Sequence, residues 1–102
     1  MALKKEEVER AARWWAEQLQ GSFTDVQRAA FAQALIDTLP GASTFWELWF
    51  DAHRGAAPHL RAALEICGIH DAPFRFGAKS RLLPGQLIVQ RSDYACCEFL
   101  IQ

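Results

Sequence analysis

The sequence predicts an α+β domain in which three or four helices pack with a small C-terminal antiparallel sheet of two or three strands. Apolar residues recur at helical spacing, with capping signals, through the first two-thirds of the chain. After Gly68 the pattern changes to short alternating or β-branched runs separated by turn residues. At 102 residues, with 51% hydrophobic and 23% charged side chains, the chain is long enough for one core and too short for two. Residues 1–102 therefore read as a single domain, helical over 1–68 and β over 69–102.

Val8, Ala11, Ala12, Trp15 and Leu19 form one apolar stripe between Lys4 and Gln20. Glu6, Arg10, Arg13 and Glu17 lie on the opposite side, and Gly21 supplies the stop, so this segment is an amphipathic helix with Trp14 at the edge of its stripe. Thr24-Asp25-Val26-Gln27 has capping-box form and opens a second helix, whose buried face is Val26, Ala30, Phe31, Ala34, Leu35 and Leu39 before Pro40-Gly41. Thr44-Phe45-Trp46-Glu47 repeats the capping pattern and predicts a third helix from Phe45 to about His53-Arg54-Gly55. On that helix Trp46, Trp49, Phe50 and His53 share one side, and Phe45, Leu48 and Ala52 share another. Pro58 suits the first turn of a fourth helix, with Leu60, Ala63, Leu64 and Cys67 inward and Gly68 as terminator. Phe74-Arg75-Phe76, Leu87-Ile88-Val89 after Pro84-Gly85, and Cys96 to Ile101 are the candidate strands.

The charges are unevenly spread. Residues 1–53 hold five Lys/Arg against eight Asp/Glu, and residues 54–102 hold six against four. Between Ala72 and Ser92 stand Arg75, Lys79, Arg81 and Arg91 with no acidic residue, a segment suited to an anion or an acidic partner but too sparse for duplex DNA. No apolar run approaches the ~18 residues that crossing a bilayer takes, so no membrane partner is expected. Met1-Ala2-Leu3-Lys4-Lys5 leads directly into a charged helix without the apolar stretch of a signal peptide, which predicts a cytoplasmic address. Three cysteines, two of them adjacent, fit reduced thiols better than a disulfide framework.

No complete catalytic set is present, and no cofactor or metal is expected. Cys67 and His70 have ligand-like spacing, but the adjacent Cys96 and Cys97 point to opposite faces of a strand and cannot easily serve one tetrahedral site. Thiol chemistry is open to Cys67 or Cys96 with His53, His59 or His70, although nothing in the sequence pairs them. The aromatic segment Phe45-Trp46-Glu47-Leu48-Trp49-Phe50 admits two readings. It is either core, or a surface for a partner or a second copy centred on Trp46, Trp49 and Phe50, with Trp14 as a further rim aromatic. Arg75, Lys79 and Arg81 are spaced to share one strand face, where they are either a solvated edge or a site for a phosphate, an RNA backbone or acidic side chains.

Ala11-Ala12-Arg13-Trp14-Trp15-Ala16, together with Ala62 to Ile69, Phe74, the basic stretch, Pro84 to Val89 and Tyr94-Ala95, resembles small uncharacterised proteins encoded by phages and prophages. Those proteins combine a double-Trp first helix with a C-terminal hairpin, and the likeness covers about half of this chain. Ser92-Asp93 stands here where they carry a glycine before the tyrosine. The resemblance implies an accessory factor that binds stoichiometrically in the host cytoplasm, such as an anti-CRISPR-like inhibitor of a host defence nuclease or its complex. A second expectation is a sponge for an anionic small molecule such as a signalling nucleotide, held by Arg75, Lys79 and Arg81 with Tyr94 or Trp14 stacked on its base. A small thiol-dependent enzyme and a homo-oligomer are the remaining alternatives.

Overall fold

A computed structural model of the chain describes residues 2–39, 43–51, 54–69, 74, 77–91 and 97–100. Three helices, α1 (Lys5–Glu17), α2 (Asp25–Asp37) and α3 (Pro58–Ile66), accompany five strands: β1 (Trp46–Asp51), the two-residue β2 (Gly55–Ala56), β3 (Ala78–Leu83), β4 (Gln86–Arg91) and β5 (Cys97–Leu100). The strands form one antiparallel sheet in the order β2-β1-β3-β4-β5. The domain is α+β, as expected. Its sheet is larger than two or three strands, and β1 and β2 come from the part of the chain read as helical. No helix among the described residues is long and apolar enough to cross a membrane.

The segment predicted as an aromatic helix is β1. Its side chains alternate, with Trp46, Leu48 and Phe50 buried and Glu47, Trp49 and Asp51 on the other face. The error has a geometric source. Trp46 and Phe50, four residues apart, fall on one side in either a helix or a strand, so they do not discriminate. Leu48 and Trp49 do: a helix groups Trp49 with Trp46, whereas a strand groups Leu48 with Trp46. Strand geometry also removes the burden of covering two broad faces of one short helix, and aromatic residues favour the pleated surface.

The helix signals elsewhere act as predicted. The Thr24 hydroxyl accepts from the Gln27 amide at 3.1 Å, and the Thr24 amide donates to Gln27 Oε1 at 2.8 Å, completing a capping box. At the end of α3, Gly68 adopts φ +67°, with its amide donating to the Glu65 carbonyl and the Ile69 amide to the Leu64 carbonyl. That is the Schellman pattern, and it needs the left-handed conformation that glycine adopts freely. Val26, predicted inward, is instead 78% exposed on α2.

All three helices contribute to a single core against one face of the sheet. α1 lies over β3 and packs on α2, and α3 lies over β1 and packs on α2. Phe74 sits at the centre, 5.4 Å from Trp15, 6.5 Å from Phe31 and 5.0 Å from Phe50 between ring centroids, while its backbone bridges to Leu19. Such ring pairs add about 0.5–1.5 kcal/mol each beyond the area they bury. Trp15 is fully buried and its indole N–H donates to the Ser80 hydroxyl at 2.8 Å, which ties α1 to the middle strand. The buried Glu7 carboxylate accepts from the Lys4 amide at 2.9 Å and from the Gly85 amide in the β3–β4 turn. Of the other predicted strand segments, Cys97–Leu100 falls within Cys96 to Ile101, and residues 75 and 76 lie outside the described residues.

Candidate functional site

The alternation that buries Trp46, Leu48, Phe50, Ala78, Ser80, Leu82, Leu87 and Val89 under the helices puts their neighbours on the opposite face. Among the described residues no helix packs on that second face. The register brings Trp49 opposite Lys79, Glu47 opposite Arg81, and Ile88 opposite Arg81. Trp49 and Ile88 are half-buried, whereas Lys79, Arg81 and Gln90 are exposed.

Electrostatics tie this face together loosely. One oxygen of Glu47, Oε2, accepts from Arg81 Nε and Nη2 at 3.3 Å each and lies 3.6 Å from Lys79 Nζ. The Lys79 and Arg81 side chains are about half exposed (48% and 49%), so each pair is worth roughly 0–1 kcal/mol and yields readily to a competing carboxylate. The Arg54 guanidinium stands 5.0 Å from the centroid of the Trp49 ring, and its amide donates to Asp51 Oδ1 at 3.1 Å. Lys79, Arg81, Ile88 and Gln90 surround a shallow hollow of about 220 Å³. Among the described side chains of this face, Arg54, Lys79 and Arg81 stand against Glu47 and Asp51, a small positive excess.

The predicted site residues therefore separate. Trp46 and Phe50 are 3% and 8% exposed and belong to the core, so they are not surface anchors. Trp49 joins Lys79 and Arg81, which the sequence had placed in a different candidate site. Trp14 lies on the other side of the sheet, near Leu87 of the covered face and edge-on to Trp15, so it cannot stack on a group held by Lys79 and Arg81. Arg75 and Tyr94 lie outside the described residues, as do His53, His70 and Cys96. Glu47, Arg54, Ile88 and Gln90 were missed. A period-2 reading of residues 46–51 would have found Glu47.

Of the groups open to thiol chemistry, Cys67 and His59 fall among the described residues. Burial pushes the Cys67 thiol up from its ordinary range, the reverse of what a nucleophile needs at neutral pH. His59 Nδ1 lies 2.9 Å from the Thr38 hydroxyl, and His59 stands eight residues before Cys67 along α3, about 12 Å of helix rise. No group of three or more His, Cys, Asp and Glu among the described residues could hold a metal ion. Comparison with known protein families, with curated proteins and with solved structures gives no match in any of the three.

Proposed function

We propose that this chain acts by stoichiometric binding and not by turnover, docking the open face of its sheet on a protein partner. The observation that carries this reading is the one-sided sheet: Trp49 and Ile88 remain half-buried beside Lys79 and Arg81 on a face that no described helix covers. A Trp flanked by Arg is the side-chain pairing that concentrates binding energy at interfaces. The complementary surface is an apolar patch bordered by carboxylates that replace Glu47 as partners of Arg81 and Lys79. The finer identification, a phage or mobile-element inhibitor of a host defence nuclease or its complex, rests on the resemblance of the double-Trp helix and the hairpin.

The test is a tagged pull-down from the host with the unaltered chain, Trp49→Ala, and the double variant Lys79→Glu plus Arg81→Glu, each shown to be folded by circular dichroism. Supporting the reading requires a defence component, lost with both variants, that forms a complex of fixed stoichiometry by light scattering when purified. Retention of that component by both variants would remove the open face from the reading. If the purified chain is a dimer that Trp49→Ala dissociates, the face belongs to a second copy.

A further inference from the structure

A second hollow, of about 230 Å³, lies on the helix-covered side of the domain between α1 and β4, lined by Arg10, Arg13, Trp14, Glu17 and Leu87. We propose that it binds a nucleoside monophosphate whose base carries an amino group. Arg10 and Arg13 are three residues apart on α1, so they project from the same side of the helix and can share one phosphate. Glu6 stands one turn before Arg10, and Glu9 and Glu17 stand one turn either side of Arg13. Even so, among the described residues neither guanidinium has an ion-pair partner. Both cations are exposed and available to an external anion.

The apolar part of the hollow is held in place before any ligand arrives. Trp14 is half-buried and packs edge-on against Trp15, with centroids 5.1 Å apart and planes at 86°. Trp15 is fixed in turn by the bond its indole N–H donates to the Ser80 hydroxyl. Leu87 contributes a side chain only 2% exposed to the floor. An indole and a leucine beside two guanidinia fit a ring that bears a phosphate, because stacking and charge-assisted bonding are then satisfied together. Glu17 supplies an acceptor at the same hollow. A carboxylate there repels a second anionic group and accepts from the exocyclic amino group of an adenine, whereas it repels the carbonyl oxygen that a hypoxanthine carries at the same position. The site lies on the opposite side of the sheet from Trp49, Lys79 and Arg81, so it stands or falls independently of the docking face.

The probe is AMP titrated into the full chain, followed by the indole N–H resonance that Trp14→Phe removes, with IMP, adenosine and inorganic phosphate titrated in parallel. A hollow this small and open predicts saturable binding of AMP in roughly the 0.1–1 mM range. The Trp14 resonance should move, adenosine and phosphate should each bind at least ~10-fold more weakly, and Arg10→Ala plus Arg13→Ala should weaken AMP by ~10-fold or more. AMP should be preferred to IMP, and Glu17→Gln should reduce that preference. No saturable shift of Trp14 with millimolar AMP would overturn the proposal. Undiminished binding in the double arginine variant, or phosphate alone binding as tightly as AMP, would overturn it equally.

Discussion

Leu48 and Trp49 are adjacent in sequence and opposite in role, and replacing each with alanine tests the strand that organises both core and docking face. Leu48 is 1% exposed, lies between Trp46 and Phe50 on the covered face, and is paired with Ser80 of β3. Truncating a leucine so enclosed costs about 2–5 kcal/mol, because transfer energy is lost and a cavity is left behind. Taking about 3 kcal/mol, a domain of this size should lose roughly 12–24 °C in Tm. Trp49 is half-buried on the open face, and its specific contact is Arg54, worth about 0.5–1 kcal/mol. Its replacement should cost about 1 kcal/mol in all, or roughly 4–8 °C. Thermal unfolding followed by circular dichroism, with urea titrations for the free energies, measures both. The strand assignment is wrong if Trp49→Ala loses as much stability as Leu48→Ala, since only a helix would bury Trp49 alongside Trp46.

Three other perturbations probe how the elements are joined. Glu7→Ala removes the acceptor shared by the Lys4 and Gly85 amides, at a cost of about 2–4 kcal/mol, and amide exchange at Gly85 should accelerate; unchanged protection there would refute the clamp. Arg28→Ala leaves the Ala16 and Leu19 carbonyls at the end of α1 without the guanidinium that bonds them at 2.6 and 3.0 Å, which should lower stability by about 1–2 kcal/mol in urea titrations. An unchanged midpoint would exclude that role. With Cys96 and Cys97 replaced by serine, Cys67 should alkylate more slowly in the folded chain than in urea at about pH 8, because a raised pKa leaves less thiolate, and its rate should keep climbing at higher pH. Faster labelling in the folded state would contradict the burial of the thiol.

The helices were legible because their signals are local. Thr24 and Gln27, Pro58, and Gly68 each lie within a few residues of the backbone groups they satisfy, so α2 and α3 could be bounded without any knowledge of the fold. The aromatic segment was not legible by the same means. A capping-like Thr44 and the four-residue spacing of Trp46 and Phe50 both mimic a helix, and what decides for a strand is pairing with β3. The same long-range pairing hid the candidate face. Alternation of Lys79 and Arg81 could be read directly, but Trp49 reaches Lys79 through a register set by contacts thirty residues away in sequence.

The position of β3 in the middle of the sheet sets an order for folding. Its pairing with β4 needs a two-residue turn, Pro84 and then Gly85 at φ +80°, and so closes at little entropic cost. Its pairing with β1 must draw Phe50 to Ala78 across the whole of β2 and α3. The hairpin is therefore the natural nucleus, and β1 joins it late. During synthesis at ~5–20 residues per second, Trp46 to Phe50 leave the ribosome about 2–7 s before Leu83 completes the strand they pair with. For that interval the most aromatic stretch of the chain has no sheet to enter, and a chaperone that holds extended apolar segments would meet it there.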